Sequence, residues 1–124
     1  MKIVGFGLLV QALLLAAPGW AQGADAEWHL YGNGYENQRS STLKQINRGN
    51  VQGLGLEWRY NTGKMGSFQA TPVVAGGVMY LSTPFNDVVA LNAESGDEIW
   101  RYRHQLAVKK TCCGPANRGV AVAG

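Results

Sequence analysis

The sequence predicts an all-β fold. Specifically, it predicts one blade of a β-propeller and the opening strand of a second. Three observations carry this. "LEWRY" at residues 56–60 resembles "EIWRY" at 98–102, with Trp58 and Trp100 forty-two positions apart. "PVVAGG" at 72–77 resembles "VAVAG" at 120–124. Between the repeats lie short β-rich runs punctuated by turn signals. A period of about 40–50 residues with four short strands in each is the signature of propeller blades.

The elements follow in chain order. Met1-Lys2 supplies a positive start, and residues 3–17 are apolar apart from Gly5, Gly7 and Gln11. Pro18-Gly19 ends the run, and Gly19-Trp20-Ala21 places small residues at −3 and −1 of a cleavage site. This reads as a secretory signal peptide over 1–21. The run is shorter than the ~20 residues a retained membrane span needs. Cleavage leaves 103 residues with no second apolar span. Export puts the protein in an oxidising compartment, and the expected location is the periplasm.

Residues 22–50 are polar and turn-rich and read as an N-terminal arm packed on a larger body. Trp28 and Tyr31 are its expected anchors. Asn33-Gly34 is a turn signal. Ser41 or Thr42 is expected to cap a short helical turn over Leu43 and Ile46. Residues 51–124 hold the blade and the next opening strand. "GLEWRYNTG" alternates like a strand. Strands over 71–75 and 78–82 flank Gly76-Gly77 as a hairpin. A strand through Val88, Ala90 and Leu91, a turn at 94–97 and a strand carrying Trp100 complete the blade. "RGVAVAG" opens another strand. A single blade cannot cover both faces of its sheet, so the chain is expected to be the N-terminal piece of a longer protein.

Charge excludes more than it suggests. The net charge of +3 comes from scattered Lys and Arg, and only Lys109-Lys110 are adjacent. A nucleic-acid surface needs a clustered basic face. His29 and His104 stand far apart and read as surface or packing residues. No Cys-x-x-Cys-His marks a c-type haem. No Gly-rich loop between a strand and a helix marks nicotinamide binding.

Cys112 and Cys113 are the only cysteines. Neighbouring Cα atoms lie ~3.8 Å apart, whereas an unstrained disulfide prefers about 5.5–6 Å. Three states remain open on these residues alone: a vicinal disulfide, a reduced pair, or bridges to another chain. Zinc lacks its usual ligand spacing here.

"ALNAESGDEIW" resembles the tryptophan-docking motif of quinoprotein dehydrogenases, roughly Ala-x-Asp-x-x-Thr-Gly-x-x-x-Trp. Ala90, Gly96 and Trp100 match, while Asn92 replaces Asp and Ser95 replaces Thr. Non-catalytic propellers of outer-membrane assembly factors share this motif, which makes a scaffold the alternative reading. The resemblance continues through "WHLYGNGYENQRSSTLKQINRGNVQGLGLEWRY" and "FQATPVVAGGVMYLSTPFNDVVALNAESGDEIW". Its most specific part is "CCGPANRGVAV", similar to the segment opening the next blade in methanol, ethanol and related alcohol dehydrogenases that use pyrroloquinoline quinone (PQQ).

That resemblance implies a Cys112–Cys113 disulfide lying against the quinone. It also implies Arg118 at the cofactor and Gln69 where a glutamate usually touches the quinone edge. A vicinal disulfide would be rigid and free of nucleophilic thiolate, and Arg118 could fork onto a carboxylate or quinone oxygen. Gln69 keeps the length and acceptor of Glu but loses its charge. Asn117 is expected to shape the turn. The implied reaction oxidises an alcohol, sugar or polyol at PQQ, with Ca²⁺ or a lanthanide as Lewis acid and a cytochrome or another quinone as electron acceptor. The resemblance places the metal ligands and the catalytic aspartate in later blades. This chain alone is therefore expected to bind PQQ poorly and to be inactive.

Overall fold

The computed structural model describes residues 27–107 and 112–123. The signal-peptide reading of 1–21 and the Lys109-Lys110 pair lie outside the described residues. Within them stands one four-stranded antiparallel sheet of order β1-β2-β3-β4. The strands are β1 (Val73–Ala75), β2 (Val78–Ser82), β3 (Val88–Asn92) and β4 (Glu98–Tyr102).

Each strand follows from its residues. Gly76 and Gly77 sit at φ 57° and 75°, where a Cβ would be strained. They close the β1–β2 hairpin with Ala75 opposite Val78. β3 is interior and reads Val-Val-Ala-Leu. Val89, Ala90 and Leu91 are all buried, as expected of a strand covered on both faces. Asn92 ends β3 by capping the turn, its Oδ1 accepting from the N–H groups of Glu94 and Ser95 at 2.9 and 3.0 Å. Gly96 follows at φ 76°. Register then shifts by one: Ala90 faces Trp100, but Leu91 faces Glu98. This β-bulge leaves Ile99 as the extra residue on the edge strand.

Trp58 explains the sequence repeat. Its indole lies on Gly96, where a Cβ would come within 2.5 Å of the ring. Thus the tryptophan of one repeat docks on the turn of the next, as the spacing of Trp58 and Trp100 anticipates. Neighbouring groups fasten the same contact. Tyr60 donates its hydroxyl to Glu98 and accepts from Arg101. Arg101 also reaches the Thr62 carbonyl at 3.0 Å and Glu98 at 3.1 Å. Burial, then the adjacent Glu98, pushes the Tyr60 hydroxyl above its ordinary value, while Arg101 holds Glu98 below its own. Trp100 itself is 45% exposed and stacks obliquely on Tyr80, with ring centroids 6.0 Å apart.

Four expectations are corrected. No helical turn spans Leu43–Ile46. Ser41 Oγ instead accepts from Leu43 N at 3.2 Å, and Asn47 and Asn50 bond nearby backbone groups. Such side chains offer the backbone an alternative to helix. The first helical turn among the described residues is Val51–Gly53, of 3-10 type. The Trp58 segment forms no ladder among the described residues. Its side chains pack on the blade, while a strand's backbone partner has to come from another strand. Residues 118–123 likewise form no ladder there. Instead, Val120 to Ala123 border an open apolar cleft with Tyr80, Val88, Trp100 and Tyr102.

The arm docks through Trp28, which exchanges two 2.9 Å backbone hydrogen bonds with Val74 on the outer side of β1. Glu27 adds both carboxylate oxygens to Gly76 N, at 3.1 and 3.0 Å. Tyr31 is the fourth correction. It is 53% exposed and does not anchor the arm in a core. Of the histidines, His29 is mostly exposed beside Glu27, and the His104 ring packs on Tyr102.

Candidate functional site

The segment preceding the second blade is held by the β2–β3 loop. In that loop Phe85 and Asn86 both adopt left-handed φ, 69° and 66°, a conformation that is costly for side-chain-bearing residues. It directs Phe85 N onto the Pro115 carbonyl at 2.8 Å. It also sets Asn86 Oδ1 to accept from Asn117 Nδ2 at 2.8 Å. Asn117 Oδ1 in turn accepts from Gly119 N at 2.9 Å, so Asn117 does shape the turn. Gly66 packs tightly between Pro115 and Pro84.

The loop itself is pinned by Asp87. Its backbone carbonyl accepts from Thr83 N at 2.9 Å. Its buried carboxylate accepts from His104 N at 3.2 Å and meets Lys64 Nζ at 2.9 Å. Burial pushes this carboxyl up. The Lys64 ammonium, the His104 N–H and the charge of Arg101 outweigh that, and the group stays below its ordinary value.

These contacts bring Arg118 beside Gln69. The two residues are forty-nine positions apart in sequence. Each stands just before the opening run of a repeat, and Gly119 lies against the Thr71 carbonyl. With Tyr31 they line one cleft of about 490 Å³. Cys112 and Cys113 do not line it. They sit upstream on the same loop, both exposed and both carried as thiols, with Sγ atoms 2.8 Å apart. That facing arrangement fits a vicinal disulfide. The Cys112 sulfur, more than burial, pushes the Cys113 thiol above its ordinary value. Among the described residues no three His, Cys, Asp or Glu side chains converge as a metal site.

Residues 28–124 match the family described as "PQQ: Glucose/ethanol/alcohol dehydrogenase, beta-propeller domain". The chain belongs to this family. Among its members, the quinohemoprotein alcohol dehydrogenase ADH IIB of Pseudomonas putida is 42% identical over 104 residues. That alignment spans 82% of this chain and 15% of the relative. The 1-butanol dehydrogenase (cytochrome c) of Thauera butanivorans is 37% identical over 116 residues, 91% of this chain and 16% of the relative. The crystal structure of quinohemoprotein alcohol dehydrogenase from Comamonas testosteroni superposes with a TM-score of 0.73 at 40% identity. It covers 82% of this chain and 16% of that one. The chain therefore spans about one sixth of the length of these PQQ dehydrogenases.

The residues at the cleft suit the family's cofactor. PQQ is planar and carries carboxylates and quinone oxygens. A guanidinium, a carboxamide and a phenol supply donors for such an edge. Two of these, Gln69 and Arg118, were expected from the sequence. Tyr31 was missed in this role, since a tyrosine in a polar arm gives no signal of the cleft it will face. Asn86 and Phe85 were missed too, because left-handed φ at such residues is not written in composition.

Proposed function

We propose that this chain forms the N-terminal arm and first blade of an exported, periplasmic PQQ-dependent dehydrogenase that oxidises an alcohol. The observation that carries this reading is the cleft joining Gln69 to Arg118, set beside the Cys112-Cys113 loop in a chain of this family. When bound, PQQ supplies a two-electron acceptor. Arg118 would hold a carboxylate or quinone oxygen and favour the negative charge that grows on reduction. Gln69 would hydrogen-bond the cofactor's edge without adding charge. A Cys112–Cys113 disulfide on the adjoining loop would be stiff and carry no thiolate to attack an electrophile.

A Ca²⁺ or lanthanide ion would act as Lewis acid, with ligands and a catalytic aspartate supplied outside this chain. The electron acceptor is proposed to be a cytochrome or another quinone. A cytochrome is favoured by the name of the Thauera relative. The chain supplies one wall of the site, so by itself it should neither retain PQQ nor reduce a dye with alcohol.

The test is reconstitution of the complete dehydrogenase that carries this chain with PQQ and each metal. Alcohol-dependent dye reduction is the expected result. Arg118→Gln should weaken PQQ binding by about tenfold or more, the scale of a charge-assisted hydrogen bond. A complete protein that takes up no PQQ, or robust turnover by residues 22–124 alone, would defeat the proposal.

A further inference from the structure

The cleft has a third wall that the family resemblance did not assign. Tyr31 stands there, and its surroundings fix both its position and the direction of its hydrogen. Arg39 Nη2 donates to the Tyr31 hydroxyl at 2.8 Å, and the guanidinium lies over the ring 4.7 Å from its centroid. Arginine has donors only, so the phenol oxygen must accept in this pair. Its own hydrogen is left without an acceptor among the described residues. A phenol in that state, lining a cleft with Arg118 and Gln69, is set to donate into it.

The loop carrying the pair is built tightly. Arg39 N bonds the Gly32 carbonyl at 2.9 Å, and Asn33 Nδ2 bonds the Ser40 carbonyl at 2.8 Å. Asn33, Asn37 and Arg39 all take left-handed φ, 55°, 52° and 54°. Gly32 lies so close to Asn37 that a Cβ would fall 2.6 Å from its Cα. Left-handed backbone at three such residues persists only where the surroundings over-determine it. Here it turns Arg39 back onto Tyr31.

We propose that Tyr31, held by Arg39, is a ligand-binding residue of this cleft and donates its phenolic hydrogen to a carboxylate of the bound quinone. Arg39 is a positioning residue that acts through the Tyr31 hydroxyl. The proposal rests on the cleft being the PQQ site.

The test uses the complete apo-dehydrogenase titrated with PQQ, followed by tryptophan quenching and by the absorbance of the bound quinone. Tyr31→Phe keeps the ring and removes only the hydroxyl. It should raise the PQQ dissociation constant by about tenfold with the melting temperature unchanged. Arg39→Met should act in the same direction. The double variant should bind no worse than Tyr31→Phe, because both changes remove one interaction. With the trimethyl ester of PQQ, whose carbonyls accept without charge, the difference between parent and Tyr31→Phe should shrink. Binding by Tyr31→Phe within twofold of the parent, while Arg118→Gln is impaired, overturns the inference but not the site. Additive losses in the double variant, or an undiminished Tyr31 effect with the ester, overturn it as well. If the parent binds no PQQ, the site reading falls and this inference with it.

Discussion

Replacing Lys64 with Met tests whether the loop beneath Arg118 depends on a compensated buried charge. Asp87 is 1% exposed, and Lys64 is the partner its Oδ2 has among the described residues. Lys64→Met keeps most of the side-chain volume and strands the carboxylate. Breaking a buried pair from one side costs about 3–5 kcal/mol. Because the Lys64 side chain is 30% exposed, the expected loss is near the lower end, ~3 kcal/mol at pH 7. Urea titration of the complete dehydrogenase, read by tryptophan fluorescence, measures it. Asp87→Asn in the Lys64→Met background should restore much of the loss by removing the charge.

The pH dependence gives an independent sign. In the parent, the folded Asp87 carboxyl is held below its ordinary value. Its contribution is therefore complete above the unfolded carboxylate pKa of about 3.9 and fades as pH falls through the lower folded value. In Lys64→Met the main lowering cause is gone while burial still raises that carboxyl, so the penalty should shrink on acidification. A Lys64→Met variant within ~0.5 kcal/mol of the parent at pH 7, the scale of an ordinary surface change, would refute the argument. So would a penalty that grows on acidification.

Other outcomes follow from single contacts. Gly96→Ala should lose about 2–3 kcal/mol in the same urea titration, since left-handed φ costs ~1–2 kcal/mol for an L-residue and the new methyl meets the Trp58 ring. Asn86→Ala should weaken PQQ binding a few-fold while Asn86→Gly, which suits the φ of 66°, is as stable as the parent or more so. Equal affinity in both variants and parent would show that the Asn86–Asn117 bond does not position Arg118. Mass spectrometry of the exported protein should find a peptide two hydrogens lighter, with Cys112 and Cys113 joined to each other. Recovery of two alkylatable thiols would count against the disulfide.

Much of the blade was legible because its constraints repeat or are local. Trp58 and Trp100 recur because an indole needs a glycine turn to lie on, and Gly96 is that turn for Trp58. The "VVAL" run announced a strand covered on both faces. Gly76-Gly77 announced a hairpin whose second strand starts and ends where expected, at Val78 and Ser82. What misled was competition within the arm. Ser41 looked like a helix cap, yet its side chain and those of Asn47 and Asn50 bond the nearby backbone, which competes with a helix. Paired ladders for residues 56–60 and 120–124 could not be judged from local pattern alone, since a ladder needs a second strand.

The site divides along the same physical line. Gln69 and Arg118 could be nominated because the segments that carry them resemble cofactor-contacting segments of the quinoprotein alcohol dehydrogenases. The two side chains line one cleft. Tyr31 could not be nominated in this way. Its place depends on Arg39, eight residues away, adopting a left-handed φ of 54° and bonding back across the loop. Glycine advertises that conformation; arginine conceals it. The strain at Arg39 and the strain at Phe85 and Asn86 lie on either side of Gln69 in sequence. One set aims Tyr31, and the other holds the turn before Arg118. Neither Arg39 nor Phe85 is buried, so hydrogen bonds rather than packing hold both strained turns, Arg39 N on the Gly32 carbonyl and Phe85 N on the Pro115 carbonyl.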